Sequence, residues 1–171
     1  MVATQPFARQ RPGVYVAGPY GFTEAGRHYL DELVLPALRD AGLRPLDPWE
    51  AGARILSPVL RAEVREPAAV RAACAALGAA NEALINEAAA VFALLDGCDL
   101  DSGTCAEVGY AAGIGRAVVG LRTDTRPGGD VAEVAVNLQV LHFIESSGGA
   151  LCGELAEAIE RLVSIVGAPA R

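Results

Sequence analysis

Three short, wholly apolar runs constrain this chain more than anything else in it: Gly13 to Ala17 (GVYVA), Val91 to Leu95 (VFALL) and Ala117 to Leu121 (AVVGL). None alternates apolar with polar residues, so each suits a strand buried on both faces. Helical patterns separate them. An amphipathic stretch from Glu24 to Ala41 closes at Gly42, an Ala-rich stretch runs from Ala69 to Glu87, and another opens after Ser102 and reaches about Ile114. Leu43 to Leu46 reads as a weak further strand stopped at Asp47-Pro48, and Gly153 to Val166 as a last helix with Leu155, Ile159, Leu162 and Ile165 on one face. Strands alternating with helices predict an α/β fold: a single flavodoxin-like (Rossmann-like) domain, with about five parallel strands covered by helices on both faces. The length of 171 residues matches one such domain.

Two stretches resist this reading. Trp49 to Glu66 looks irregular because Pro58 and Pro67 break any long helix, which predicts a lid or pocket wall. Between Val131 and Ile144 helix and strand propensities do not separate. Residues 1–12 read as a loose N-terminal extension without the apolar core of a signal peptide.

Composition removes several chemistries. All fourteen basic residues are arginine, and without lysine neither a Schiff base nor a Walker A phosphate loop can be built. A net charge of −7 and a pI near 4.8 argue against a phosphate-tracking nucleic-acid surface. Cys74, Cys98, Cys105 and Cys152 show no C-x-x-C spacing, which predicts reduced structural thiols and no metal site. His28 and His142, the two histidines, offer little to a Ser-His-Asp relay. The longest uncharged apolar run, Ala88 to Leu95, is too short to cross a bilayer, so a cytoplasmic location is expected. Gly18 and Gly21 do not complete a G-x-G-x-x-G, and Pro19 would remove one phosphate-facing amide, so no dinucleotide fingerprint is present.

In a parallel sheet the informative residues follow the strands. Gly18 to Phe22 follow the first, Asp47 to Trp49 the second, Asp96 to Thr104 the third, and Arg122 to Arg126 the fourth. The third loop is richest: Asp96, Asp99 and Asp101 reach the rim, Gly103 admits close backbone approach, and Glu107 follows on the helix. Two readings stand side by side. Thr104-Cys-Ala-Glu107 fits an S/T-x-x-E capping box, with Asp101 or Ser102 as alternative caps. Equally, paired carboxylates at a crevice can divide labour, one as nucleophile and the other handling protons. Tyr20, Phe22 and Trp49 read either as packing aromatics or as ligand walls, while Arg122, Asp124 and Arg126 read as a surface ion-pair cluster.

The stretch Asp101-Ser-Gly-Thr-Cys-Ala-Glu107-Val-Gly-Tyr110-Ala resembles the D-x-G-x-x-x-E-x-G-Y-A signature of the nucleoside 2-deoxyribosyltransferases. Ala17-Gly-Pro-Tyr-Gly-Phe22 is similar to the family's first nucleoside-binding loop, and Val136-Asn137-Leu138 to its N-L-[MQ] element. The resemblance spans roughly residues 13–140. It implies that Glu107 attacks C1′ of a 2′-deoxyribose and carries a covalent deoxyribosyl ester until an incoming base displaces it, and that Asp101 holds the base and manages its proton. Tyr20 and Phe22 would then pack on base or sugar. Gly18, Asp47, Trp49 and Gly103 would complete the substrate site, and Asn137 would reach a sugar hydroxyl across a subunit interface. No cofactor is implied. The expected partners are 2′-deoxynucleosides, free nucleobases and further copies of the chain, with neither nucleic acid nor membrane. One departure stands out: where some members place a further acid, this chain has Asn81, which can hydrogen-bond a base but cannot give it a carboxylic proton. Hydrolysis of deoxynucleosides or nucleoside 5′-monophosphates by the same groups, and a non-catalytic nucleotide-binding module, are the competing functions.

Overall fold

The computed structural model describes residues 11–167; most of the expected N-terminal extension lies outside them. Five strands, β1 (Gly13–Ala17), β2 (Arg44–Leu46), β3 (Ala90–Leu94), β4 (Ala117–Leu121) and β5 (Ala150–Cys152), form one sheet in the order β2-β1-β3-β4-β5. Every pairing is parallel, and Val14 to Ala17 run beside Ala90 to Ala93. The apolar runs behave as their composition dictates, with β1 and β3 buried along their whole length.

Side chains alternate between two cores, as the two-residue period of a strand requires. Val14, Val16, Phe92, Leu94, Val119 and Leu121 face one layer, and Tyr15, Ala17, Val91, Ala93 and Val118 face the other. The first layer is closed by the segment running from α1 (Glu24–Tyr29) into α2 (Leu35–Asp40) and by α8 (Leu155–Val166), through Leu30 between α1 and α2, Leu38 and Leu162 among others. The second is closed by α5 (Pro67–Glu87), α6 (Ser102–Gly113) and α7 (Leu138–Ser146), through Ile85, Val108 and Ile144. Helices therefore cover both faces.

The structure corrects the sequence reading in several places. The expected helix from Glu24 to Ala41 contains a π turn at Leu30–Val34, where the Leu35 N–H donates to the Leu30 carbonyl. Pro36, which lacks an N–H and crowds the preceding turn, accounts for that wider turn. Trp49 to Glu66 is mostly helical, forming α3 (Pro48–Ile55) and α4 (Ser57–Leu60). Pro48, Pro58 and Pro67 all sit in first-turn positions, so these prolines start helices instead of stopping them. The stretch from Val131, ambiguous in sequence, is loop as far as Asn137, then α7. Strand β5 follows it, in a run too short to carry a periodic signal. By length and composition alone, α5 is also long and apolar enough to cross a membrane, although Arg71 and Glu82 divide it into shorter uncharged runs. Here α5 lies against α3, α6 and β1.

Candidate active site

At β1 the chain order reverses: β2 lies on one side and β3 on the other. Loops leaving β1 and β3 must diverge there, which opens a crevice beyond the carboxyl ends of the strands. A cleft of about 710 Å³ occupies that point, inside the range of roughly 300–1,000 Å³ usual for small-molecule sites. Gly18, Gly21 and Phe22 line it from the β1 side, Trp49 and Leu56 from α3 and its end, Leu77 and Asn81 from α5, and Asp101, Gly103 and Glu107 from the start of α6.

Helix α6 shows how one segment serves both structure and chemistry. Asp101 is its N-cap, and Oδ2 accepts from the Thr104 N–H at 2.8 Å and the Thr104 hydroxyl at 2.9 Å. Thr104 is therefore the third residue of the helix, so the Thr104–Glu107 capping box does not form. Glu107, a turn further on, is released from backbone work. Its Oε1 instead accepts from the Tyr15 hydroxyl at 2.6 Å. Burial raises the Glu107 pKa and the nearby Asp101 charge adds to that, while the Tyr15 hydrogen bond pulls the other way. Tyr15 is itself held far above the ordinary phenol value, by burial first and the Glu107 charge second, so it remains a donor.

Tyr15 was not among the sequence candidates. The signal was one phenol in an aliphatic, doubly buried strand, a polar tip that must find a partner inside the protein. Tyr15→Phe removes a hydrogen bond to a charged group, worth about 1.5–3 kcal/mol. Any reaction using the Glu107 carboxylate is expected to slow by about 10- to 100-fold. Because the lost bond favoured ionisation, the acid limb of the pH–rate profile moves to higher pH; steady-state rates across pH check both effects.

The other expected site residues divide into two groups. Trp49 lies against Gly21, where an added Cβ would overlap the indole ring, and Phe22 meets the indole edge-on with centroids 4.6 Å apart. Together they form one rim, with Phe22 75% exposed. Asn81 lines the opposite wall, and its buried amide oxygen has no hydrogen-bond partner among the described residues. Gly18 and Gly103 also reach the cleft.

Tyr20, Asp47 and Asn137 do not line it. The Tyr20 hydroxyl donates to Asp96 Oδ2 at 2.6 Å, and its ring packs edge-on against Tyr29. Asp47 caps α3 by accepting from the Trp49 N–H at 3.0 Å. Its buried Oδ2 lies 3.5 Å from the Arg27 guanidinium. Burial raises the Asp47 pKa against the pull of both neighbours. Asn137 caps α7 and donates to Asp130, in a second hollow that it shares with Asp99, Leu100, Cys105 and Phe143.

The expected ion-pair cluster splits as well. Asp124 and Arg126 pair at the surface, but Arg122 is only 5% exposed and donates to the carbonyls of Leu95, Gly97 and Arg126. It braces the β3 and β4 loops.

Glu50, Asp101 and Glu107 make the cleft acidic, and Arg27, the cation on its lining, is already engaged by Asp31 at 2.8 Å and by Asp47. Such a site suits a neutral or electron-poor ligand and opposes a phosphate. It joins a desolvated carboxylate, a second carboxylate beside it, and apolar walls that limit water.

The profile of the family described as Nucleoside 2-deoxyribosyltransferase matches residues 14–141. No curated protein matches the chain. Among solved structures, a conserved protein from Enterococcus faecalis is 24% identical with a TM-score of 0.64, covering 90% of this chain and 98% of its own. A 2-deoxyribosyltransferase from Bacillus psychrosaccharolyticus is 18% identical with a TM-score of 0.65, covering 93% of this chain and 98% of its own. A 2-desoxiribosyltransferase from Leishmania mexicana is 21% identical with a TM-score of 0.60, covering 90% and 97%. At these identities the three structures establish a shared fold.

Proposed function

The chain belongs to the nucleoside 2-deoxyribosyltransferase family, and from that premise we propose that it transfers 2-deoxyribose between nucleobases by double displacement at Glu107. The observation that carries this reading is the Glu107 carboxylate, desolvated, held by Tyr15 at 2.6 Å and facing a nucleoside-sized cleft beside Asp101. A carboxylate poorly solvated by water is a strong nucleophile toward the oxocarbenium-like C1′ of a deoxy sugar. Glu107 attacks C1′ as the C1′–N bond breaks, and the bond's electron pair leaves with the base, which takes up a proton. A nitrogen of the second base then attacks C1′ from the opposite face, loses its proton, and returns Glu107 as a carboxylate. Two inversions retain configuration.

Asp101 is assigned to that proton, because its Oδ2 is committed to Thr104 while, among the described residues, Oδ1 takes no hydrogen bond. Asn81 replaces a carboxylic donor with an amide, which can hold the base edge but leaves proton delivery to Asp101. Asp101→Asn separates the two jobs. Asn caps a helix as well as Asp, so stability is expected to change by less than about 0.5 kcal/mol, while exchange falls by about 10²-fold, the scale of general acid–base catalysis. Thermal melts and exchange rates on one preparation check both.

Asn137, turned away from Glu107 within its own chain, is assigned to the sugar hydroxyl of a second copy's substrate, which makes the working form a homo-oligomer. The tied Arg27 favours unphosphorylated nucleosides over 5′-monophosphates.

The test is chromatographic: the protein is incubated with a 2′-deoxynucleoside, with and without a second free base. A new nucleoside is the expected product. Base release without exchange would make the protein a hydrolase, and no reaction in either mixture would leave a binding module.

A further inference from the structure

We infer that Asp96 is a positioning residue for the cleft, fixing the Pro19–Phe22 turn against the loop that leads to Asp101 through its hydrogen bond from Tyr20. Asp96 stands just past β3 and outside the cleft lining. Its Oδ2 accepts from the Tyr20 hydroxyl and the Thr123 hydroxyl, each at 2.6 Å. Its Oδ1 accepts from the backbone N–H groups of Thr123 at 2.6 Å and Asp124 at 2.9 Å. One carboxylate thus ties together the loops that leave β1, β3 and β4. Burial alone would push its pKa up, but these four hydrogen bonds hold it below the ordinary carboxylate value, so the clasp stays charged in mild acid.

The turn held in this way also packs on α1, where the Tyr20 ring meets Tyr29 and the Tyr20 backbone crowds Gly26, but its one side-chain hydrogen bond to a neighbouring loop is the one to Asp96. Pro19–Phe22 is a single 3₁₀ turn with no side-chain cap and no buried residue. Its outer side carries Gly21 and Phe22, which form the Trp49 rim, and its inner side carries Tyr20. Tyr20 is therefore the turn's polar tether, and the Trp49 rim lies on the opposite side of the turn. Loosening the tether frees Gly21 and Phe22 from the indole without touching Glu107, Tyr15 or Asp101. Substrate capture weakens and the chemical step does not.

This inference rests on the nucleoside reading of the cleft only for its kinetic part. Trp49 is the sole tryptophan, so its fluorescence reports on the rim whether or not the protein turns anything over. Tyr20→Phe deletes one oxygen and keeps the ring on Tyr29. It is expected to red-shift Trp49 emission and increase acrylamide quenching, and to raise KM for the nucleoside about three- to tenfold while kcat stays within about twofold. Thr123→Val removes a bond of the same length to the same carboxylate oxygen, on the β4 side, and leaves Tyr20 its acceptor. It is expected to lower the melting temperature while leaving Trp49 fluorescence and KM at wild-type values. If Tyr20→Phe leaves Trp49 unaltered, or both variants change it equally, the clasp does not position the rim. If the wild type turns over no nucleoside while Trp49 still distinguishes the variants, the functional reading fails and the clasp stands.

Discussion

Glu107→Gln is expected to abolish base exchange, with kcat down by at least about 10³-fold, because the amide keeps the shape of the nucleophile but cannot form the ester. The same substitution is expected to leave the protein at least as stable as wild type at pH 7. Glu107 has a folded-state pKa raised above its unfolded value, chiefly by burial. Such a group favours the fold while protonated, and that contribution is lost as pH rises through the folded value. At pH 7 the wild type therefore holds a desolvated charge that glutamine lacks, and the stability gap between the two narrows in acid. Calorimetry at neutral and acid pH, paired with exchange assays, reads both halves. A variant that loses activity and stability together at pH 7 points to a structural role for Glu107.

Phe92→Ala is expected to have the largest effect on stability. Phe92 is fully buried in the central strand β3, on the layer closed by α1, α2 and α8. Replacing a buried phenylalanine with alanine costs about 3–5 kcal/mol in lost burial and cavity formation. For a chain of this size that lowers the melting temperature by roughly 6–20 °C. Its neighbours Val91 and Ala93 face the opposite layer, with α6 and Tyr15, so the Glu107 geometry is not disturbed. Exchange measured well below the melting temperature is expected to stay near the wild-type rate, whereas a loss matching that of Glu107→Gln would place the site on the other face of the sheet.

The architecture was legible because burial on both faces leaves an unmistakable mark: GVYVA, VFALL and AVVGL can hardly be anything but central strands. The edge strand β5 and the helical form of the α3–α4 wall were not, although Leu43 to Leu46 was readable as the edge strand β2. A strand of three residues such as Ala150–Cys152 carries no period, and a proline spells the start of a helix as readily as its end. At the site, the Asp101-to-Glu107 spacing correctly marked one helix start and one crevice, but spacing could not say which residue capped. That needed the Thr104 hydrogen bonds. The contributions of Tyr15 and Asp96 were illegible for a related reason. Each depends on a partner 92 and 76 positions away respectively, brought close by the parallel pairing of β1 and β3. Tyr20 shows the converse error, since its place after the first strand suggested ligand contact while its hydroxyl serves Asp96.

The double displacement at Glu107 is tested most directly by trapping its intermediate. Wild-type protein is mixed with a 2′-deoxynucleoside in the absence of an acceptor base, quenched in acid, digested and analysed by mass spectrometry. The expected result is one deoxyribosyl group on the peptide containing Glu107, lost on addition of a free base as a new nucleoside appears, and absent from Glu107→Gln. A deoxyribosyl group on any other residue, or base exchange that persists in Glu107→Gln, would contradict it.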